Sequence, residues 1–201
     1  MNARETIVGF LLALIVFMSV FLIFLHFKPF YYYNFQTLNV YDGKNDAKIN
    51  ESLDSLLDFF EFKTNTIKNY NESEISHMKD IRKIISYLKL LTILSILLLF
   101  VFWKKDKKIL FKTGLFLILI ISLFAVLSLA DFNIVFTKFH EIFFPQGNYM
   151  SDPKVSFMKY MFPDEFFVNF LKTMFCSLLI IAIGFEIAYF YLKNRAEKLI
   201  N

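Results

Sequence analysis

The sequence predicts an all-α polytopic membrane protein, and three observations carry that prediction. Of the 201 residues, 57% are hydrophobic and 19% aromatic, against the roughly 45–50% apolar content of soluble domains. Four apolar stretches of about 20 residues can each cross a hydrocarbon core roughly 30 Å thick. Lysine and arginine crowd close to the ends of those stretches, whose interior runs carry almost no charge. The expected architecture is a single membrane domain over residues 1–201: four transmembrane helices, with two extracytoplasmic segments containing short amphipathic or re-entrant helices.

In chain order, the first span covers 7–27. Its apolar core exceeds the roughly 7 to 15 residues of a secretory signal, and "HFKPFYYYNF" follows it with no small-residue cleavage site, so it reads as a retained helix. An outer segment, 28–83, leads to the second span, 84–103. The link "KKDKK", 104–108, precedes the third span, 109–130. A second outer segment, 131–166, leads to the fourth span, 167–192, and the tail 193–201 carries "KNRAEK". The basic link, the basic tail and Arg4 place both termini in the cytoplasm and both long connections outside. The net charge of +4 then reflects membrane edges beside anionic lipid rather than a nucleic-acid partner. With five glycines and no Gly-rich phosphate loop, a nucleotide-binding fold is excluded. The lone Cys176, inside the fourth span, reads as a small buried hydrophobe.

The outer segments are more informative. In "INESLDSLLDFFEF", Leu53, Leu56, Leu57 and Phe60 fall on one helical face, with Asp54, Asp58 and Glu61 on others. In "NESEISHMKD", Asn71 followed by Glu74 has the form of a reciprocal N-cap, so a helix starts there and runs into the second span. His77 sits on its first turns. Glu74 and Asp80, three residues away on either side, could orient the ring, although the spacing alone favours a surface histidine near a helix start.

The second outer segment is saturated with phenylalanine and tyrosine, and "PQGN" must turn the chain. Such a segment cannot face open water and belongs in the bundle mouth or beside acyl chains. His140 lies four residues after Phe136 and four before Phe144, and a titratable ring in that stripe is a functional candidate. With His26, all three histidines fall at the outer boundary. A metal site lacks the H-E-x-x-H pattern, because Ile142, Phe143 and Phe144 follow His140 and Glu141. Acid–base catalysis of acyl transfer fits better, with histidines titrating near ambient pH. No G-x-S-x-G elbow or external cysteine supplies a nucleophile, so the substrate would bring its own. A non-enzymatic membrane sensor or lipid- or protein-docking subunit, and a metal-dependent membrane hydrolase, are the alternatives. The distance between His77 and His140 discriminates the sensor from the enzyme.

These residues resemble a known family. Ser73, His77, Met78 and Asp80 make an S-x-x-x-H-M-x-D stretch. Phe139, His140, Ile142, Phe143 and Phe144 make F-H-x-I-F-F, followed by Asp152 and Pro153 as D-P. Phe162, Pro163, Phe166 and Phe167 make F-P-x-x-F-F, and the aromatic run from Phe30 to Tyr33 also fits. The pattern resembles the Lit family, the lipoprotein intramolecular transacylases of Gram-positive bacteria. The chain departs from it at Tyr149, where a tryptophan is expected, and at Ser156, where an acid is expected. The resemblance implies a cell-membrane acyltransferase whose partners are membrane lipids and a diacylglyceryl-modified lipoprotein. It would move the sn-2 acyl chain to the α-amino group of the N-terminal cysteine, giving lyso-form lipoprotein. His77 and His140 would be catalytic, Glu74, Asp80, Asp131 and Asp152 supporting, with no cofactor or metal, in a monomer whose active site opens on the outer face.

Overall fold

A computed structural model describes residues 2–42, 45–127, 132–148 and 156–198 of the chain. Every regular element among them is helical: α1 Ala3–His26, α2 Lys28–Thr37, α3 Asp46–Phe60, α4 Glu72–Phe102, α5 Lys108–Leu127, α6 Phe132–Phe143, α7 Phe157–Met161 and α8 Asp164–Lys198. Four of them, α1, α4, α5 and α8, are long and apolar enough to cross a membrane. The second and fourth spans are the apolar parts of longer helices; in α4 that part begins at Ile84.

The chain divides into two compact units, and α1, α4 and α8 contribute residues to both. The first comprises 1–23, 88–130 and 172–201. Its interior uses small side chains such as Ala13, Thr113 and Ala182. A Cβ added at Gly9 would stand 2.6 Å from the Cβ of Lys112, so glycine is what lets α1 and α5 approach. The Arg4 guanidinium donates to the carbonyls of Phe102 (3.0 Å) and Trp103 (3.1 Å), a cation on the negative end of α4. Cys176 is exposed on α8 rather than buried, because the outward side of a membrane helix faces lipid, not protein.

The second unit comprises 24–87 and 131–171. Its core is aromatic. Phe166 packs on Phe30 (5.6 Å), Tyr31 (5.4 Å) and Phe162 (5.1 Å). Helix α3 buries Leu53, Leu56, Leu57 and Phe60, the face the spacing predicts, and Asn45 caps it by accepting from the Ala47 and Lys48 N–H groups. Helix α2, with Pro29 in its first turn, is not anticipated from sequence, since its aromatic run lacks a clean period.

Candidate active site

The start of α4 is built as a capping box. The Glu74 N–H donates to Asn71 Oδ1 (2.9 Å), and Glu74 Oε2 accepts from the Asn71 N–H (2.9 Å). The other oxygen, Oε1, accepts from the Ser156 hydroxyl (2.7 Å) and the Met158 N–H (2.8 Å). Glu74 is thus a buried carboxylate with three donors, which fastens α4 to the start of α7; among the described residues none of its hydrogen bonds goes to His77. Ser156, where the family pattern leads one to expect an acid, is the N-cap of α7.

One turn further along α4, His77 is buried, and so is His140 on α6. Their ring centroids are 5.8 Å apart with planes inclined at 30°. Phe144 packs edge-on against His77 (4.5 Å), and Phe136 lies 4.0 Å from His140. The stripe from Phe136 to Phe144 therefore walls the pair. The opposite side of α6 leaves Ile134 and Ile142 exposed.

His140 Nδ1 lies 2.7 Å from the Phe136 carbonyl. A carbonyl only accepts, so Nδ1 carries the proton and Nε2 holds the lone pair in the neutral ring. His77 Nδ1 is buried without a hydrogen bond, and so is Asn148 Oδ1. Asn148 acts on the His77 ring electrostatically, short of a hydrogen bond by strict geometry. Its amide nitrogen donates to Asp80 Oδ2 (2.8 Å) and Ser76 Oγ (3.2 Å). Asp80 also accepts from Gln146 and pairs with Lys83 (3.1 Å). Asp80 therefore reaches His77 through Asn148. Gly147, at φ 71°, makes the turn that presents Gln146 and Asn148 to α4.

Burial, reinforced by His140, pushes the His77 imidazole down to about 4, against the opposing pull of Asn148 and Asp80. Burial also holds His140 below its ordinary value, although the Phe136 carbonyl favours its charged form; the charge of Lys159 acts with burial. Burial tends to raise Asp80, but hydrogen bonds from Asn148, Lys83 and Gln146 outweigh it and hold the carboxyl below its usual range. Both histidines are thus neutral at neutral pH, further down than the near-ambient titration expected from sequence, because the aromatic walls exclude water.

The remaining sequence-predicted residues lie apart or outside view. His26 faces Glu61 (3.5 Å). Asp131 and Asp152 are outside the described residues. Among the described residues no three His, Cys, Asp or Glu side chains converge to hold a metal. Sequence reasoning missed Asn148 and Gln146; the signal was their place in the "PQGN" turn directly after the histidine stripe.

Four membrane-length helices define an integral membrane protein, one that buries two histidine rings together in an aromatic cluster. The family described as "Lipoprotein intramolecular transacylase Lit" matches residues 6–167. The chain belongs to that family, a family of acyltransferases. The solved structure of the membrane integral lipoprotein intramolecular transacylase Lit from Bacillus cereus shares the fold, with a TM-score of 0.87 and 18% identity over 97% of this chain and 96% of that one. Two variants of that protein, in which one histidine is replaced by arginine or by alanine, superpose with a TM-score of 0.83 at 19% identity. They cover 97% of this chain and 92% and 94% of theirs. No curated protein matches the chain significantly.

Proposed function

We propose that this chain carries out an O-to-N acyl shift on lipoproteins, with His77 and His140 as its acid–base pair. The substrate is a lipoprotein whose N-terminal cysteine bears a diacylglyceryl group. The α-amino nitrogen bonds to the carbonyl carbon of the sn-2 ester, the carbon–oxygen bond to glycerol breaks, and the proton lost by nitrogen ends on the glycerol oxygen. The observation that carries the reading is the 5.8 Å pairing of two buried histidine rings from separate segments. A sensor makes no demand for that pairing.

The chemistry suits such a pair. Attack through the thioether and glycerol closes a ring of about eight atoms, so holding the amine against the ester is a large part of the task. Both imidazoles are neutral at neutral pH and can accept an N–H of the free amine. His140 is the better base, because the Phe136 carbonyl stabilises its imidazolium. His77, steadied by Asn148 and Asp80, holds the amine and passes the proton toward the leaving oxygen. Asp80 and Asn148 are positioning residues, and the aromatic stripe of α6 receives the acyl chain. In the cell membrane both termini face the cytoplasm and the histidine pair faces outward, as the basic residues at the helix ends support.

The test is to replace His77 or His140 with alanine and analyse lipoprotein N-terminal peptides by mass spectrometry. Loss of the lyso form is expected from each. Undiminished lyso-form production by either variant would overturn its assignment. Activity lost in chelator and restored by zinc would overturn the metal-free reading.

A further inference from the structure

A cavity of about 500 Å³ opens beside α4, between the rings of Phe59 and Phe62 and the polar side chains of Asn65, Lys79, Arg82 and Lys83. Its charges do not balance. Lys83 is paired with Asp80, but neither Lys79 nor Arg82 has a carboxylate within ion-pair distance among the described residues. The Arg82 guanidinium lies between the rings of Phe62 (3.9 Å) and Phe59 (4.3 Å). One of its nitrogens donates to Asn65 Oδ1 (3.2 Å), while its Nε is buried without a hydrogen bond. A guanidinium fixed between two rings, with donors to spare and no counter-charge, is prepared for an anion. Phe62, at φ 65°, is the left-handed residue of the cap that ends α3, with the Phe62 N–H donating to the Phe59 carbonyl (3.1 Å) and the Lys63 N–H to the Asp58 carbonyl (2.9 Å), and this turn sets its ring over the guanidinium.

Depth identifies the anion. The apolar part of α4 begins at Ile84, and Ser86 lines the cavity just inside it. The cations therefore stand at the polar edge of a membrane span, the level of lipid phosphates. A phosphodiester offers two free oxygens that match the guanidinium fork. The unpaired Lys79 ammonium would repel a choline headgroup and accept a neutral or anionic one. We infer that this cavity is a binding site for the phosphodiester headgroup of an anionic membrane phospholipid, built on Arg82 and Lys79 and separate from the histidine pair.

Native mass spectrometry of the full chain, released from nanodiscs of phosphatidylglycerol or of phosphatidylcholine, tests this. The wild-type chain should retain phosphatidylglycerol at least about tenfold more than phosphatidylcholine, and Arg82→Gln should remove most of that preference. Lys79 is exposed, so Lys79→Gln keeps the fold and should weaken the preference severalfold; Arg82→Lys, which keeps the charge and loses the fork, should lie between wild type and Arg82→Gln. Equal retention of both lipids by the wild type, or an unchanged preference in both Lys79→Gln and Arg82→Lys, overturns the site. Binding of inorganic phosphate that displaces phosphatidylglycerol at millimolar concentration would identify a free-phosphate site and overturn the lipid assignment.

Discussion

The two compact units of this chain meet the problem of burial with opposite materials. In the unit formed by 1–23, 88–130 and 172–201, many large aliphatic side chains point outward, as with Leu97, Leu123 and Ile180, and small residues such as Ala13, Thr113 and Ala182 share the interior with Leu117, Leu178 and Met174. Where lipid is the solvent, burying leucine gains little, so close approach of small residues decides the packing. In the unit formed by 24–87 and 131–171, large rings such as Phe35 and Phe59 are fully buried, and Glu74, His77, His140 and Ser156 are buried with them. The first unit is specified by shape. The second sets buried polar groups into an aromatic core, and the histidine pair lies there.

The sharpest way to break this comparison is at the second unit's polar residues, where function and stability should separate. Loss of a catalytic acid or base slows a reaction by about 10²–10⁴-fold. His77→Ala and His140→Ala should therefore lower lyso-form production by that factor, with only the modest fall in the thermal unfolding midpoint that vacating a buried ring causes. Glu74→Ala should do the reverse in emphasis. It strands the Ser156 hydroxyl and the Met158 and Asn71 N–H groups in a buried place, at a cost of about 3 kcal/mol or more. Glu74→Gln, which still accepts hydrogen bonds, should recover part of that stability. If Glu74→Ala left the unfolding midpoint alone and moved the pH profile, Glu74 would be an orienting group for His77 instead of a clamp.

How much of this was legible in sequence follows the same division. The spans could be read because a membrane demands about 20 apolar residues in a row, a local signal. The capping box at Asn71 and Glu74 and the buried face of α3 are local too, fixed by spacings of three and four residues. What sequence could not supply was where the second halves of long-range contacts lie. Nothing near Glu74 announces that its other oxygen belongs to Ser156 and Met158. Nothing near Asp80 announces that it reaches His77 through an asparagine from a distant turn. The depression of the histidine pKa values is of the same kind, since it comes from Phe136 and Phe144 closing over rings on two different helices.

In the first unit the glycines sharpen the contrast. A methyl group at Gly9 meets the Cβ of Lys112 at 2.6 Å with that residue's backbone directly behind it, so Gly9→Ala should cost about 1–3 kcal/mol. At Gly184 an added Cβ meets nothing within 4 Å. Gly184→Ala should be neutral or stabilise α8 by up to about 1 kcal/mol, through propensity alone. Unfolding of the two variants in the same detergent checks the pair, and equal effects would mean that close approach does not govern this unit.

The smallest expected effect is an inflection that should be missing. A lowered imidazole pKa leaves the ring neutral, and so able to accept a proton, down to a lower pH. With its imidazole near 4, His77 gains almost no charge as pH falls from 8 toward 6, and burial moves the charging of His140 below the pH at which a free imidazole titrates. The substrate's α-amino group, with a pKa of roughly 7.7–8.0, must lose its proton before it attacks. The logarithm of kcat/KM should therefore rise with unit slope up to about pH 8 and then level, with no second break at the usual imidazole value of about 6.5. Initial rates on a detergent-solubilised diacylglyceryl peptide between pH 5 and 9 would show it. A slope that steepens to two at about pH 6.5 itself would mean that water reaches the histidines, and that the second unit's interior is not the dry aromatic core that sets it apart from the first.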